Sequence, residues 1–505
     1  MQHLPKPLTA QNPLGVPPSG GRKPRKRGTP NPKSGHCQNP LFFVIVLAGC
    51  LAAARVQGAL TYTTLISFNG TNGANPVAGL VQGADGNFYG TAPNGGPNSN
   101  GTVFAISPDG SFFTNVYSFT GGTNGASPAG GLIVGTDGNF YGTTYSGGVS
   151  NVGTVFQITP NGTFAQLAQL SFTNGANPDV ALVQAPDGSF YGGTRYGGPF
   201  PVTTSGGIGY GTIFQVTTNG LLTTPVLFAG TNGANPTALV LANDGNFYGV
   251  TTWGGNTAQV HFGVGTIFRL GLDGTFTNLY QFSGFNDGGF PQAALVQGNN
   301  GIFYGTTQSG GSNQIGTIFR MTFGGQFQSL LSFPSSSMGS YPFGALIQAS
   351  DGNFYGTTYL GGNLSTTQRG TIFQLTPAGA FAQVLQFTGT NGNVLGANPQ
   401  SPLVQGTDGN FYGTTVNGGV FNKGTVFRLS LPLAPVFKSI AKGGDTVTLV
   451  WSSAASQTYQ LEYTTNLAQG VWNNIGGGVV ATNGMMTGFD LTPSDPVRLY
   501  RVMAQ

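Results

Sequence analysis

The chain has 505 residues, 86 of them glycine, and charged residues make up only 6% of it, against a usual share near ~25%. Glu462 is the only glutamate; long surface helices need charge on their wet faces, so helical bundles, coiled coils and helical solenoids are excluded, as is highly charged disorder. The formal net charge of +4 belongs to the leader: eight of the 18 basic residues lie between Lys6 and Arg55 and all 14 acidic ones at Asp85 or later, which leaves ten basic against 14 acidic residues in the body. That body has no clustered basic face, and nucleic-acid binding is excluded with it.

The leader comes first in the chain. A basic stretch ending near Lys33 precedes the apolar run Leu41–Ala54, 14 residues long. This is short for a membrane span but suits the apolar region of a secretory signal. Small residues follow, with Val56 and Gly58, or Gln57 and Ala59, spaced as a cleavage site. Leu47-Ala-Gly-Cys50 also resembles a bacterial lipoprotein box, which would leave a lipid on Cys50, and an uncleaved anchor is the third reading. Both cysteines (Cys37 and Cys50) and two of the three histidines (His3 and His36) fall in this leader. A chain cleaved after Gly58 keeps His261 alone, so no zinc–thiolate, disulfide or Cys–His site is open to it, and neither cofactor nor metal is expected.

From Thr61 onward one unit recurs. The phrase Asp85-Gly-Asn-Phe-Tyr-Gly90 returns at Asp137, Asp187, Asp244, Asn300, Asp351 and Asp408, at intervals of 52, 50, 57, 56, 51 and 57 residues. A short apolar run such as Gly79-Leu-Val-Gln82 precedes each copy. A Gly-Gly loop, a Gly-Thr-Val/Ile-Phe run, a glycine turn and a fourth run ending in phenylalanine follow. Short runs rich in Val, Ile, Phe, Tyr and Thr between glycine turns are strands, and Asp-Gly between two of them marks a hairpin. Four antiparallel strands at this period form a propeller blade. Thr61–Phe68 matches a fourth strand, while the seventh unit stops after its third, at Gly424–Leu429. The N-terminal strand is therefore expected to complete the last blade and close the ring.

The expected fold class is all-β: a seven-bladed β-propeller of four-stranded blades followed by a small β-sandwich. The expected divisions are a leader and signal at 1–58, the propeller at 59–430, a linker at 431–437 and the sandwich at 438–505. Period-two alternation in Thr446–Ser452, Tyr459–Tyr463 and Arg498–Val502, with Trp451 as a core residue, supports the last of these.

The repeated unit, seen best from Leu403 to Phe427, closely resembles the GloVer tandem repeat of bacterial exported proteins over about residues 61–430. The resemblance implies an extracytoplasmic propeller carrying a C-terminal anchoring or sorting module, and it implies no catalytic residues. The tail resembles a fibronectin type III-like module in Trp451, Tyr459–Tyr463 and Tyr500–Val502, although about 70 residues is short for that fold.

The repeated Asp-Gly-Asn reads as a turn, since Asp caps local backbone and glycine accepts positive φ. One carboxylate per turn is too few for calcium. The Phe-Tyr and Val-Phe positions read as packing between blades. Variation sits on the opposite face, where Gly-Gly and the next Gly-Thr are separated by 4, 4, 12, 9, 4, 7 and 4 residues in the successive units. Loops on a rigid scaffold are where binding usually sits. Tyr145, Arg195, Tyr196, Trp253, His261, Tyr359 and Arg369, in or beside these loops, are the candidate ligand-binding residues. The expected partner is a glycan or a cell-surface protein, the membrane is reached only through a lipid on Cys50, and the chain is expected to be an exported monomer. The alternatives are a purely structural surface or adhesion protein and a carbohydrate hydrolase or lyase: the only acidic candidates for catalysis on this face are Asp179 and Asp287, two blades apart, where glycoside cleavage needs a matched pair.

Overall fold

The computed structural model describes residues 60–199, 209–255, 263–362, 368–431, 435–453, 458–466, 471–491 and 498–504. The leader with Cys50, and His261 in its insertion, lie outside these residues. Among the described residues there is no α-helix, and hence none long and apolar enough to cross a membrane.

Each repeat folds into one antiparallel four-stranded sheet. In the first blade the strands are Val81–Gln82, Phe88–Ala92, Thr102–Ile106 and Phe113–Ser118, in that spatial order. The seventh sheet takes Val404–Gln405, Phe411–Thr415 and Thr425–Ser430 from the end of the repeat region and Thr61–Ser67 from its beginning. The pairing runs from Thr61 opposite Ser430 to Ser67 opposite Thr425. The phase offset in the sequence is thus the closure of a seven-bladed propeller.

The second strand of a blade is buried along its whole length, except that in blade four the last residue, Trp253, emerges. It has a sheet neighbour on both edges and a neighbouring blade on both faces. Its Phe-Tyr-Gly is used residue by residue. The tyrosine ring lies on the phenylalanine of the next blade: Tyr89 on Phe140 at 4.1 Å, Tyr141 on Phe190 at 4.0 Å, Tyr191 on Phe247 at 4.4 Å, Tyr248 on Phe303 at 4.4 Å, Tyr304 on Phe354 at 4.1 Å and Tyr355 on Phe411 at 4.7 Å. Tyr412 then stacks on Phe88 at 4.0 Å and returns the series to the first blade. The glycine is required by contact rather than by φ: a Cβ on Gly305 would stand 2.4 Å from Phe319 Cζ and 2.9 Å from Leu295 Cδ2.

The Asp-Gly turn fastens the same tyrosine. Asp85 Oδ1 accepts the Asn87 amide at 3.1 Å, while Oδ2 accepts the Asn87 side chain at 2.7 Å and the Tyr89 hydroxyl at 2.9 Å. The same set recurs at Asp137, Asp244, Asp351 and Asp408. In blade five Asn300 keeps the turn by accepting from Ile302 N and reaches the Tyr304 hydroxyl at 3.0 Å. A glutamine from the first strand links adjacent turns. Gln82 Nε2 donates to Gly86 O in its own blade at 2.9 Å, and its Oε1 accepts Thr407 N of blade seven at 2.9 Å. Gln184, Gln297, Gln348 and Gln405 accept in the same way from Thr136, Asn243, Asn299 and Ser350.

Beyond the propeller, two three-stranded sheets share a core of Val447, Leu449, Trp451, Tyr459, Leu461 and Tyr500. Asp490 pairs with Arg498 at 2.6 Å and accepts the Tyr500 hydroxyl at 2.9 Å. This small sandwich meets the Asp-Gly face of the propeller: Lys438 Nζ donates to Ser350 O at 2.8 Å and Gly484 N to Thr407 O at 2.9 Å.

Two outcomes test this architecture. Gly305→Ala is expected to cost about 1–3 kcal/mol of stability through overpacking against Phe319, read as a lowered denaturant midpoint. Partial burial pushes the carboxyls of Asp85, Asp137 and Asp244 up, but the hydrogen bonds from asparagine side chain, tyrosine hydroxyl and backbone outweigh it and hold them low. Their contribution is therefore present above the unfolded carboxyl range near ~3.9 and lost as pH falls through the lower folded values. A variant with all three changed to Asn should lose less stability on acidification than the native chain in melts between neutral pH and pH ~3.

Candidate binding face and axial cavity

The Gly-Gly loops and the loops that lead into each new blade lie side by side on one face. Ala74 N donates to Asn94 O at 2.7 Å and Ala176 N to Tyr196 O at 2.8 Å, and the same bridge recurs at Ala126, Gly289, Ser340 and Ala397. In each leading-in loop the residue before the proline takes positive φ: Asn75, Ser127, Asn177, Asn235, Phe290, Tyr341 and Asn398, between 54° and 58°. Asparagine tolerates this conformation. Its side chain also binds the adjacent blade, from Asn177 to Tyr145 O at 2.9 Å and from Asn398 to Tyr359 O at 3.1 Å. Phe290 and Tyr341 adopt it without that option and are backbone-strained.

After this kink and the proline, the next residue of each blade stands on the wall of an axial cavity of about 250 Å³. These seven residues are Val77, Ala129, Asp179, Thr237, Gln292, Phe343 and Gln400. The rest of the wall is mainly aliphatic, and Asp179 is its one charged residue. Arg195 approaches Asp179 Oδ2 at 3.3 Å from outside the wall, while Asp179 Oδ1 is shut off from solvent without a hydrogen-bond partner. Burial pushes the Asp179 carboxyl above the usual range, and the neighbouring Arg195 guanidinium opposes that shift only in part. Burial likewise raises the Tyr145 hydroxyl, again against Arg195.

The candidate residues separate into groups. Tyr145, Arg195 and Asp179 come together between blades two and three, with the Arg195 guanidinium 5.7 Å from the Tyr196 ring. Tyr196 itself packs against the buried cluster between those blades. Tyr359 sits edge-on to Phe343 at 5.1 Å, on the other side of the ring. Trp253, 40% exposed, packs edge-on to Phe290 at 4.6 Å. Arg369 is apart from the cavity, its guanidinium against Gly389. Asp287 is also apart: it accepts the Tyr280 hydroxyl at 2.9 Å, Ser283 N at 2.8 Å and the Ser283 hydroxyl, and so fastens its own loop. Asp179 and Asp287 thus have separate partners, and of the two only Asp179 lines the axial cavity. Among the described residues no group of three or more His, Cys, Asp or Glu is placed to hold a metal ion.

Thr237, Gln292, Phe343 and Gln400 also line the cavity, although no feature of residue type marks them in the sequence. Their signal is positional, since each follows the proline of its repeat, and this position differs from unit to unit while the proline does not.

The Gloeobacter/Verrucomicrobia repeat family matches residues 54–208 and 200–396. The chain belongs to this family. No curated protein matches it. Among solved structures it is similar to a puromycin hydrolase, at 12% identity and TM-score 0.47 over 76% of this chain and 60% of that one. It is also similar to PorZ, a surface component of the type-IX secretion system of Porphyromonas gingivalis, at 13% and 0.44 over 87% and 58%. A third likeness is to the gluconolactonase XC5397 of Xanthomonas campestris, at 11% and 0.37 over 74% and 91%. These are likenesses of fold and carry no activity to this chain.

The Arg195–Asp179 pair makes a prediction about pH. Arg195→Met leaves the carboxylate without its one cation, so the folded carboxyl rises further above its unfolded value. Its stability contribution is then fully present only below the unfolded value and is lost as pH rises through the folded one. Thermal melts should show the variant close to native in acid and less stable by about 1–2 kcal/mol near neutrality. Adding Asp179→Asn should restore it.

Proposed function

We propose that this is an exported, non-catalytic propeller that binds a protein or glycan partner through its variable-loop face. The observation that carries the reading is the placing of exposed apolar side chains: Val149 (78% exposed), Phe172 (51%), Phe285 (58%), Val420 (64%) and Phe421 (54%) stand on loops of that face and Trp253 (40%) at a strand end on it, against Phe112, Leu221 and Leu272 on the Asp-Gly face. Single exposed apolar residues are ordinary, but their greater number on one face of a ring favours that face as an interaction surface. Phenylalanine and valine without adjacent charge favour a protein surface over a sugar, whereas Trp253 suits either. The basic and apolar leader supports export, and the sandwich on the opposite face is placed to serve as spacer or attachment.

The test is binding of purified chain to envelope proteins and to a glycan array, repeated with Trp253, Phe285 and Phe421 changed together to alanine. Loss of one specific interaction, by tenfold or more in affinity, is expected. Interaction that survives the triple change, or that instead follows the Asp-Gly face, sinks the assignment.

A further inference from the structure

The axial cavity is separate from the loop surface just described and has its own chemistry. Asp179 belongs to blade three and Phe343 to blade six, three steps around a seven-membered ring, so an acidic and an aromatic residue stand on opposite sides of the axis at the same register, one residue after the proline. Both residues line the cavity, and Tyr359 braces Phe343 edge-on from outside. Arg195 does not line it: half-exposed, it touches only Oδ2 of Asp179 at 3.3 Å. The negative end of that pair is therefore part of the wall while its positive end is in solvent. Thr237, Gln292 and Gln400 add neutral polar groups, and Ala78, Val180 and their neighbours add apolar surface.

A chamber lined by one acidic residue, one aromatic residue and aliphatic side chains disfavours anions and gives a hydrated metal ion a single carboxylate, too few ligands to hold it. It suits a cation that carries its own hydrocarbon. Such a group is attracted by the carboxylate on one side and by the face of a ring on the other, and it loses little on leaving water. At about 250 Å³ the space lies below the ~300–1,000 Å³ of pockets for drug-sized ligands, so the occupant is small. We propose that the axial cavity binds a small organic cation of the alkylammonium class, its head against Asp179 and its methyl or methylene groups against Phe343 and the aliphatic wall.

The experiment is calorimetric titration of the folded chain, at low ionic strength, with tetramethylammonium and butylammonium, and with butanol as the neutral match. Saturable binding of the ammonium ions is expected, stronger than butanol by about tenfold or more and weakening with added salt. Asp179→Asn and Asp179→Gln should abolish the preference for the cation. The fold accepts an amide there, since blades five and seven carry Gln292 and Gln400 at the same register. Phe343→Leu should weaken tetramethylammonium more than butylammonium, and Arg195→Met should tighten both. The triple loop variant should titrate as the native chain does, so failure of the loop surface and failure of the cavity are read separately. No saturable binding of either ion, butanol binding as well as butylammonium, or unchanged binding by the Asp179 variants overturns the proposal.

Discussion

Everything in the propeller depends on one residue doing two jobs. The tyrosine of each Asp-Gly-Asn-Phe-Tyr-Gly phrase places its ring on the next blade's phenylalanine and, in five blades, its hydroxyl on the aspartate of its own turn. The first contact fixes the spacing between blades and the second fixes the tyrosine's tilt. The two together explain why six residues are repeated almost unchanged. Aromatic pairs of this kind add about 0.5–1.5 kcal/mol each beyond their buried area, and seven of them return to their starting point only if the ring closes. Burial also drives the Tyr89 and Tyr141 hydroxyls up to about 12, with the aspartate beneath each adding to the effect. These groups stay neutral donors across the ordinary pH range.

With the clasp holding the blades, the opposite face is free to vary. Chain can be inserted between Gly-Gly and Gly-Thr without touching either the stacked rings or the Asp-Gly turns. The residue after each proline can likewise be exchanged without altering the kink before it. The kink has a cost, because positive φ is uncongenial ahead of proline and for Phe290 and Tyr341 in particular. In return it turns one side chain per blade toward the axis.

The fold was legible in the sequence because its determinants are local and repeated: the glycine turns, the alternation of short apolar runs, and the mismatch between the first strand and the last unit. The site was legible only in part. Scarce charge marks Asp179 in the sequence, though as a candidate for catalysis rather than for binding, and the long loop beside it marks Trp253. Gln292, Phe343 and Gln400 carry no such mark, because their variation changes side-chain type without changing loop length. Asp287 was misleading for a different reason, as a carboxylate on the variable face can serve its own loop, and only the partners Ser283 and Tyr280 reveal that it does. The contact of the small sandwich with the Asp-Gly face, through Lys438 and Gly484, is a matter of surface fit that no local pattern encodes.

The joint between the first strand and the last blade also sets an order of events. The Ser67 hydroxyl receives the amide of Val420, 353 residues further along, so the first strand of the propeller must wait for a partner that is synthesised near the end of the repeat region. Until then its backbone groups are unpaired and blade seven has a bare margin able to pair with another chain. Bringing such distant ends together carries a loop-closure entropy that grows only slowly with length, but the search is slow. Assembly of this protein is therefore expected to be most vulnerable at its final step, when six blades are built and the seventh is waiting for its fourth strand.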